Sequence, residues 1–182
     1  TLGAYYVQAQ SLSWLPVVAS LPLAGLIAAV LYINEFPDYA SDQAVGKKTL
    51  VVRLGRQRAV ILYAAIIGAT YVALLAGIVV GALPVVALIA LGTLPLAARA
   101  LLYARRHHSQ SFDLVPANAM TIICHLTVGL VLTLAFVWNR SGVQGVAYVA
   151  PMAAVFTGFV AYMYWYIERQ KNIFLKLKRA VT

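Results

Sequence analysis

The sequence predicts an all-α integral membrane protein with five transmembrane helices. Hydrophobic residues make up 63% of its 182 residues, whereas a soluble domain of this size is about half apolar. The apolar residues fall in five runs, each long enough to cross the hydrocarbon core of a bilayer, which needs roughly 20 residues. Because polar residues do not alternate along these runs, they favour helices over the strands of a membrane barrel.

Short polar or proline-containing connections separate the predicted spans. The spans cover approximately residues 14–33, 59–80, 82–102, 117–137 and 146–166. The second and third spans meet at Gly81 to Pro84, which predicts a very tight hairpin. Pro22, Pro95 and Pro151 lie in or near spans, where neighbouring helices can satisfy the backbone groups that proline leaves unpaired.

The basic residues predict the orientation of the chain. Of the 14 Lys and Arg residues, only Arg140 falls on one side of the predicted topology. The other thirteen fall on the opposite side, and they are Lys47, Lys48, Arg53, Arg56, Arg58, Arg99, Arg105, Arg106, Arg169, Lys171, Lys176, Lys178 and Arg179. Since cytoplasmic loops carry an excess of Lys and Arg, the N-terminus is predicted outside and the C-terminus inside.

The overall charge and the cysteine content exclude some classes of protein. The net charge of +9 is compatible with nucleic-acid binding, but the chain has no RNA- or DNA-binding motif and little soluble surface to carry one. Cys124 is the single cysteine and cannot form an internal disulfide. The chain begins at Thr1 without a charged leader, so no signal peptide is predicted.

Charged residues concentrate in the connection after the first predicted span. Glu35, Asp38 and Asp42 are three of the five acidic residues of the chain. They are followed by a cluster of cations, Lys47, Lys48 and Arg53. Carboxylates beside cations suit a site that holds Mg²⁺ and a phosphate group together, and the orientation places this segment at the cytoplasmic face.

The spacing within the cluster allows two interpretations. Asn34, Asp38 and Asp42 are four residues apart, which on a helix places them on one face and could provide two carboxylates and an amide oxygen for Mg²⁺. Pro37 disfavours a continuous helix, so the helix either kinks there or restarts with Pro37 in its first turn. The alternative is a polar loop whose acids balance the neighbouring cations at the membrane surface.

These residues also resemble a known motif. The run from Asn34 to Gly55 is similar to the second aspartate-rich motif of the UbiA superfamily of intramembrane prenyltransferases. Within it, the run most resembles the branch that prenylates 1,4-dihydroxy-2-naphthoate in menaquinone synthesis. Two flanking stretches add to the resemblance: Gly3 to Gln8, before the first span, and Pro116 to Leu130, which looks like the last conserved helix of the family.

The resemblance implies a specific chemistry. Family members use two aspartate-rich motifs to hold Mg²⁺ against a polyprenyl diphosphate, and an aromatic acceptor attacks the carbocation left when the diphosphate departs. Carried over to this chain, the catalytic and metal-binding acids are Asp38 and Asp42. Asn34 is the third metal ligand. The expected diphosphate-binding residues are Lys47, Lys48 and Arg53.

The resemblance also implies an incomplete site within these 182 residues. Residues 1–137 are expected to form the C-terminal part of a UbiA-like domain, and residues 138–182 an additional transmembrane helix with a basic cytoplasmic tail. The first aspartate-rich motif is absent, because the remaining acids, Asp113 and Glu168, stand alone. Two hypotheses therefore stay open: part of a Mg²⁺-dependent prenyltransferase, or a truncated or degenerate non-catalytic subunit that joins other subunits in a quinone-using or photosynthetic membrane complex.

Overall fold

The regular elements from residue 2 to residue 142 are helical. The computed structural model describes residues 2–109 and 111–142, together with isolated positions between 147 and 169. Helices α1 to α7 are, in order, Leu2–Ala9, Trp14–Asn34, Tyr39–Ala44, Leu50–Leu54, Arg56–Val79, Leu94–His107 and Val115–Ser141. Two 3₁₀ segments, Val85–Thr93 and Ser111–Leu114, come directly before α6 and α7.

Four of the five predicted spans are confirmed as helices long and apolar enough to cross a membrane. They are α2, α5, α7 and the continuous segment Val85–His107, which joins the first 3₁₀ segment to α6. The fifth predicted span, 146–166, lies largely outside the described residues, as does most of the basic tail. The observed spans run up to five residues beyond the predicted ends, because charged residues such as Arg56 and His107 continue the helices past the apolar runs.

Turn chemistry at two glycines defines the ends of α5. Gly55 precedes the helix with a φ of +75°, and Gly81 follows it with a φ of +73°, a region that favours glycine. After Gly81 the chain turns back, and the Leu83 amide donates to the Gly77 carbonyl at 2.9 Å. The tight hairpin predicted between the second and third spans is therefore present.

The third span changes helix type at Leu94, one residue before Pro95. Residues 85–93 are 3₁₀ and α6 starts at Leu94, so Pro95 lies in the first α-helical turn. A proline in that position leaves no intrahelical hydrogen bond unmade, since the first amides of an α-helix have no partner within the helix. The sequence pattern predicted one apolar span here without indicating the change.

Helix α7 lies at the centre of the packing. It contacts α2, α6 and the first 3₁₀ segment, while α2 also packs along α5. The inward face buries residues such as Leu26, Cys124 and Val128. The outward face is apolar too, with Val72 and Val79 66% and 85% exposed, as expected where lipid replaces water.

Two buried tyrosine–threonine hydrogen bonds join the spans. Tyr63 on α5 lies 2.6 Å from Thr121 on α7, and Tyr71 lies 2.8 Å from Thr93 in the 3₁₀ segment. Each threonine hydroxyl also donates to a carbonyl of its own helix, at 2.7 Å in both cases. A hydroxyl has one proton, so each tyrosine is the donor to its threonine.

The Tyr63 bond should make a modest contribution to stability. We expect Tyr63→Phe to lower the free energy of unfolding by about 0.5–1 kcal/mol, the usual size of an interhelical hydrogen bond in a membrane protein. Titration with a denaturing detergent in mixed micelles measures the change. Tyr103→Phe is the control, because Tyr103 stacks on His107 through its ring. An unchanged midpoint for Tyr63→Phe would contradict the assignment.

Candidate active site

The segment between α2 and α5 folds over one end of the helical bundle. Helix α2 ends at Asn34, residues 35–38 form turns, and the chain continues through the short helices α3 and α4. The last turn of α2 tightens, with Glu35 and Phe36 amides bonded to carbonyls three residues back at 3.1 and 3.3 Å. Pro37 follows, and its ring would clash with a helical carbonyl four residues earlier, which explains the break.

The interruption separates the three residues that the spacing placed on one helical face. Asn34 is the last residue of α2, whereas Asp38 is the N-cap of α3 and Asp42 lies within α3. The Asp42 amide donates to the Asp38 carbonyl at 2.8 Å, so these two aspartates are one helical turn apart and share a face. The sequence left two alternatives at Pro37: a kinked helix, or a new helix with Pro37 in its first turn. A new helix does start, but it begins at Tyr39, after Pro37.

The two aspartates differ in their surroundings. Asp42 is only 8% exposed, and both of its carboxylate oxygens lie 3.1 Å from Nζ of Lys47. Asp38 is exposed, and its side chain makes no hydrogen bond to the helix that it precedes. A buried carboxylate requires a partner, and Lys47 provides it here, while the Asp38 carboxylate remains accessible to a ligand.

Lys47 reaches Asp42 because the chain reverses at Gly46. Gly46 has a φ of +73°, and the Lys47 amide donates to the Asp42 carbonyl at 2.8 Å. Lys48 and Arg53 are exposed on either side of the start of α4, and no ion pair joins them to the aspartates within the described part of the chain. The structure thus brings one of the three predicted cations to the acids.

Glu35, the third acid of the cluster, serves the local fold. Its Oε2 accepts from the Val51 amide at 3.3 Å, and the Thr49 hydroxyl accepts from the Val52 amide at 3.3 Å. Both acceptors satisfy amides in the first turn of α4, which have no partner within the helix. These bonds fix α4, and with it Arg53, against the end of α2.

Two contacts that the sequence did not indicate tie this end of the bundle to the start of α7 and to the connection before it. Asn118 donates from Nδ2 to Oδ1 of Asn34 at 2.6 Å. Arg56 donates from Nη1 to the Ser109 carbonyl at 2.8 Å, and its guanidinium lies 4.7 Å from the centre of the Tyr39 ring. The two polar connections therefore lie at the same end of the bundle, as the predicted topology requires.

The residues present suit a hard cation better than a soft one. Among the described residues no group of three or more His, Cys, Asp and Glu side chains comes together, so a tetrahedral zinc centre does not fit. Asp38 and Asp42 offer carboxylate oxygens on one face of α3 instead, while Asn34 lies across the break at the end of α2. Mg²⁺ needs only one or two carboxylates when water and substrate phosphates complete its coordination, and the two aspartates fit such a site.

Comparison with known proteins places most of the chain in one family. Residues 1–122 match the model of the UbiA prenyltransferase family. The chain is 24% identical over 140 residues to the 2-carboxy-1,4-naphthoquinone phytyltransferase of Synechocystis, an alignment that covers 77% of this chain and 46% of that protein. It is 28% identical over 81 residues to the 1,4-dihydroxy-2-naphthoate octaprenyltransferase of Bacillus subtilis, covering 44% of this chain and 26% of that protein.

The matches cover only part of each relative. The chain spans about half the length, or less, of the two curated relatives. No solved structure matches the chain significantly. The family match includes the whole of the segment between α2 and α5, as well as Asn118 and Thr121 at the start of α7.

Proposed function

Because the chain belongs to the UbiA prenyltransferase family, we propose that it carries one half of the active site of a membrane enzyme that transfers a polyprenyl group from its diphosphate to a naphthoate-type aromatic acceptor. The acceptor class follows the names of the two relatives, a naphthoquinone phytyltransferase and a naphthoate octaprenyltransferase. The cofactor of the proposed reaction is Mg²⁺.

The observation that carries this proposal is the position of Asp38 and Asp42. They share one face of a short helix at the end of a membrane span, with Lys47 against Asp42 at 3.1 Å. Asp42 is only 8% exposed, and electrostatic interactions strengthen where water is excluded. Carboxylates for a cation and ammonium groups for an anion are thus available within one segment.

In the proposed reaction the C–O bond to the diphosphate breaks, and the electron pair leaves on the diphosphate. An electron-rich ring carbon of the acceptor then bonds to the prenyl carbon, and the C–H bond at that ring carbon breaks, releasing its proton to solvent and restoring the aromatic ring. Bound Mg²⁺ would supply charge stabilisation of the departing diphosphate. Asp38, Asp42 and Asn34 would hold the cation, while Lys47, Lys48 and Arg53 would neutralise the oxygens of the diphosphate.

The proposal extends to the arrangement of the whole chain in the bilayer. The apolar spans and the family identify an integral membrane protein. We place the aspartate-containing end in the cytoplasm, with the N-terminus outside and the C-terminus inside, because thirteen of the 14 Lys and Arg residues fall on that side. Residues 1–137 would belong to the prenyltransferase domain, and residues 138–182 would add a transmembrane helix and a basic tail.

The experiment that tests the proposal is a transfer assay with the full-length protein in membranes. A labelled prenyl diphosphate and 1,4-dihydroxy-2-naphthoate are the substrates, and prenylated naphthoate is the product measured. We expect product formation to stop when EDTA removes divalent cations and to return on addition of Mg²⁺. Prenyl transfer that persists in EDTA would contradict the metal role, and no transfer with any naphthoate acceptor would favour the non-catalytic subunit in a larger membrane complex.

A further inference from the structure

Two asparagines that are 84 positions apart in sequence meet at the candidate site. Asn34 ends α2, and Asn118 lies in the first turn of α7. Nδ2 of Asn118 donates to Oδ1 of Asn34 at 2.6 Å. This hydrogen bond joins α2 and α7 directly through their side chains. Its acceptor is the amide oxygen of Asn34, one of the three residues proposed to hold the cation.

Asn118 has no evident role in its own helix. Leu114, rather than Asn118, occupies the N-cap position of α7, and no side chain there caps the helix. Oδ1 of Asn118 is buried and has no hydrogen-bond partner among the described residues. Leaving such an oxygen unpaired costs about 1–3 kcal/mol, so an asparagine at this position is not explained by stability alone.

The bond restricts a side chain that is otherwise unconstrained. Asn34 is exposed at the C-terminal end of a helix, where an amide group can rotate between several rotamers. A carbonyl oxygen accepts two hydrogen bonds or ligands. With Asn118 bonded to one lone pair, Oδ1 of Asn34 keeps its second lone pair available and its direction fixed.

We infer that Asn118 is a positioning residue for the cation site, which it supports from α7 by orienting the amide of Asn34. The inference rests on the proposed function, since it assigns Asn34 to the cation. Hydrogen bonds to the groups that bind a metal typically change its affinity by about 10–100-fold. Asn118 thereby links the start of α7, which the family match still includes, to the aspartate-containing segment.

A double-mutant cycle on metal binding tests this inference. The full-length protein in detergent is titrated with Mn²⁺ in the presence of inorganic diphosphate, and electron paramagnetic resonance measures free Mn²⁺. We expect Asn118→Ala to weaken binding by about 10-fold. In the Asn34→Ala background the same change should have no further effect, because Asn118 acts through Asn34. Asn139→Ala, on the exposed far end of α7, is the matched control and should bind like the unmodified protein.

A second variant guards against loss of folding. Asn118→Ser keeps a polar side chain that is too short to reach Asn34, and it should weaken Mn²⁺ binding as alanine does, with an unchanged thermal unfolding midpoint. Unchanged affinity in both variants, or additive effects of Asn34→Ala and Asn118→Ala, would overturn the positioning role while leaving the proposed enzyme intact. If the unmodified protein binds no Mn²⁺ with diphosphate, the cation site itself is wrong and the inference falls with it.

Discussion

Replacing Asp42 by asparagine in the full-length protein is expected to lower prenyl transfer by about 10²–10³-fold, the usual effect of removing one pre-organised charge-stabilising group. Asparagine has the shape of aspartate but no charge. It would leave Lys47 without its anionic partner, now 3.1 Å away, and would remove one of the two carboxylates proposed for Mg²⁺. The rate at saturating substrate, measured across a range of Mg²⁺ concentrations, reports the loss.

Asp38→Asn separates metal binding from folding. The Asp38 side chain is exposed and makes no capping bond, so its replacement should leave the thermal unfolding midpoint unchanged while lowering activity as much as Asp42→Asn does. Glu35→Gln is the matched control, because it removes a negative charge from the same segment yet retains an oxygen that can accept from the Val51 amide. Full activity in both aspartate variants would refute their role as metal ligands. An equal loss of activity in Glu35→Gln would show that the aspartates act only through the total negative charge of the segment.

Gly25→Ala is expected to destabilise the fold by about 1–3 kcal/mol, the typical cost of overpacking. Gly25 on α2 faces Thr70 on α5, and a Cβ at position 25 would overlap the Thr70 hydroxyl oxygen and approach the Thr70 Cβ to 3.3 Å. The Thr70 hydroxyl cannot move freely, since it donates to the Ile66 carbonyl at 3.0 Å. Small residues let membrane helices approach closely, and this crossing holds α2 against α5.

Removing the obstructing hydroxyl should reverse the effect. In Gly25→Ala/Thr70→Ala the nearest remaining contact is 3.3 Å, and we expect most of the lost stability to return. Gly68→Ala on α5 is the control, because nothing lies within 4 Å of a Cβ there, and alanine in a helix is about 1 kcal/mol more favourable than glycine. Detergent-induced unfolding gives all four free energies, and a Gly25→Ala variant as stable as Gly68→Ala would show that α2 and α5 are not closely packed at this point.

The parts of the fold that depend on local composition could be predicted from the sequence. Roughly 20 continuous apolar residues are enough to specify a membrane span, and four of the predicted spans are helices that meet this requirement. The 3₁₀ segment before Leu94 was not predicted, because its apolar composition is the same as that of an α-helix. The break after Asn34 was anticipated from Pro37, since proline acts on the backbone next to it.

The candidate site could be predicted only in part, for a physical reason. Asp38, Asp42 and Lys47 lie within ten residues, so their proximity follows from one short helix and one glycine turn. Asn118 was missed because its partner is 84 residues away and a single asparagine in an apolar span has no periodicity to reveal it. Arg56 was counted only as a positive charge, whereas its bond to Ser109 depends on how two loops meet.

The Lys47–Asp42 contact would make the lysine an internal competitor for the proposed cation. Its ammonium is held five residues from the carboxylate, across the turn at Gly46, and a group tethered by so short a connection acts at an effective concentration of about millimolar. At the proposed cation site, Mg²⁺ would have to displace it to reach Asp42. A diphosphate that draws Lys47 towards its own oxygens would lower that barrier, so cation and diphosphate should each raise the affinity of the protein for the other by the same factor.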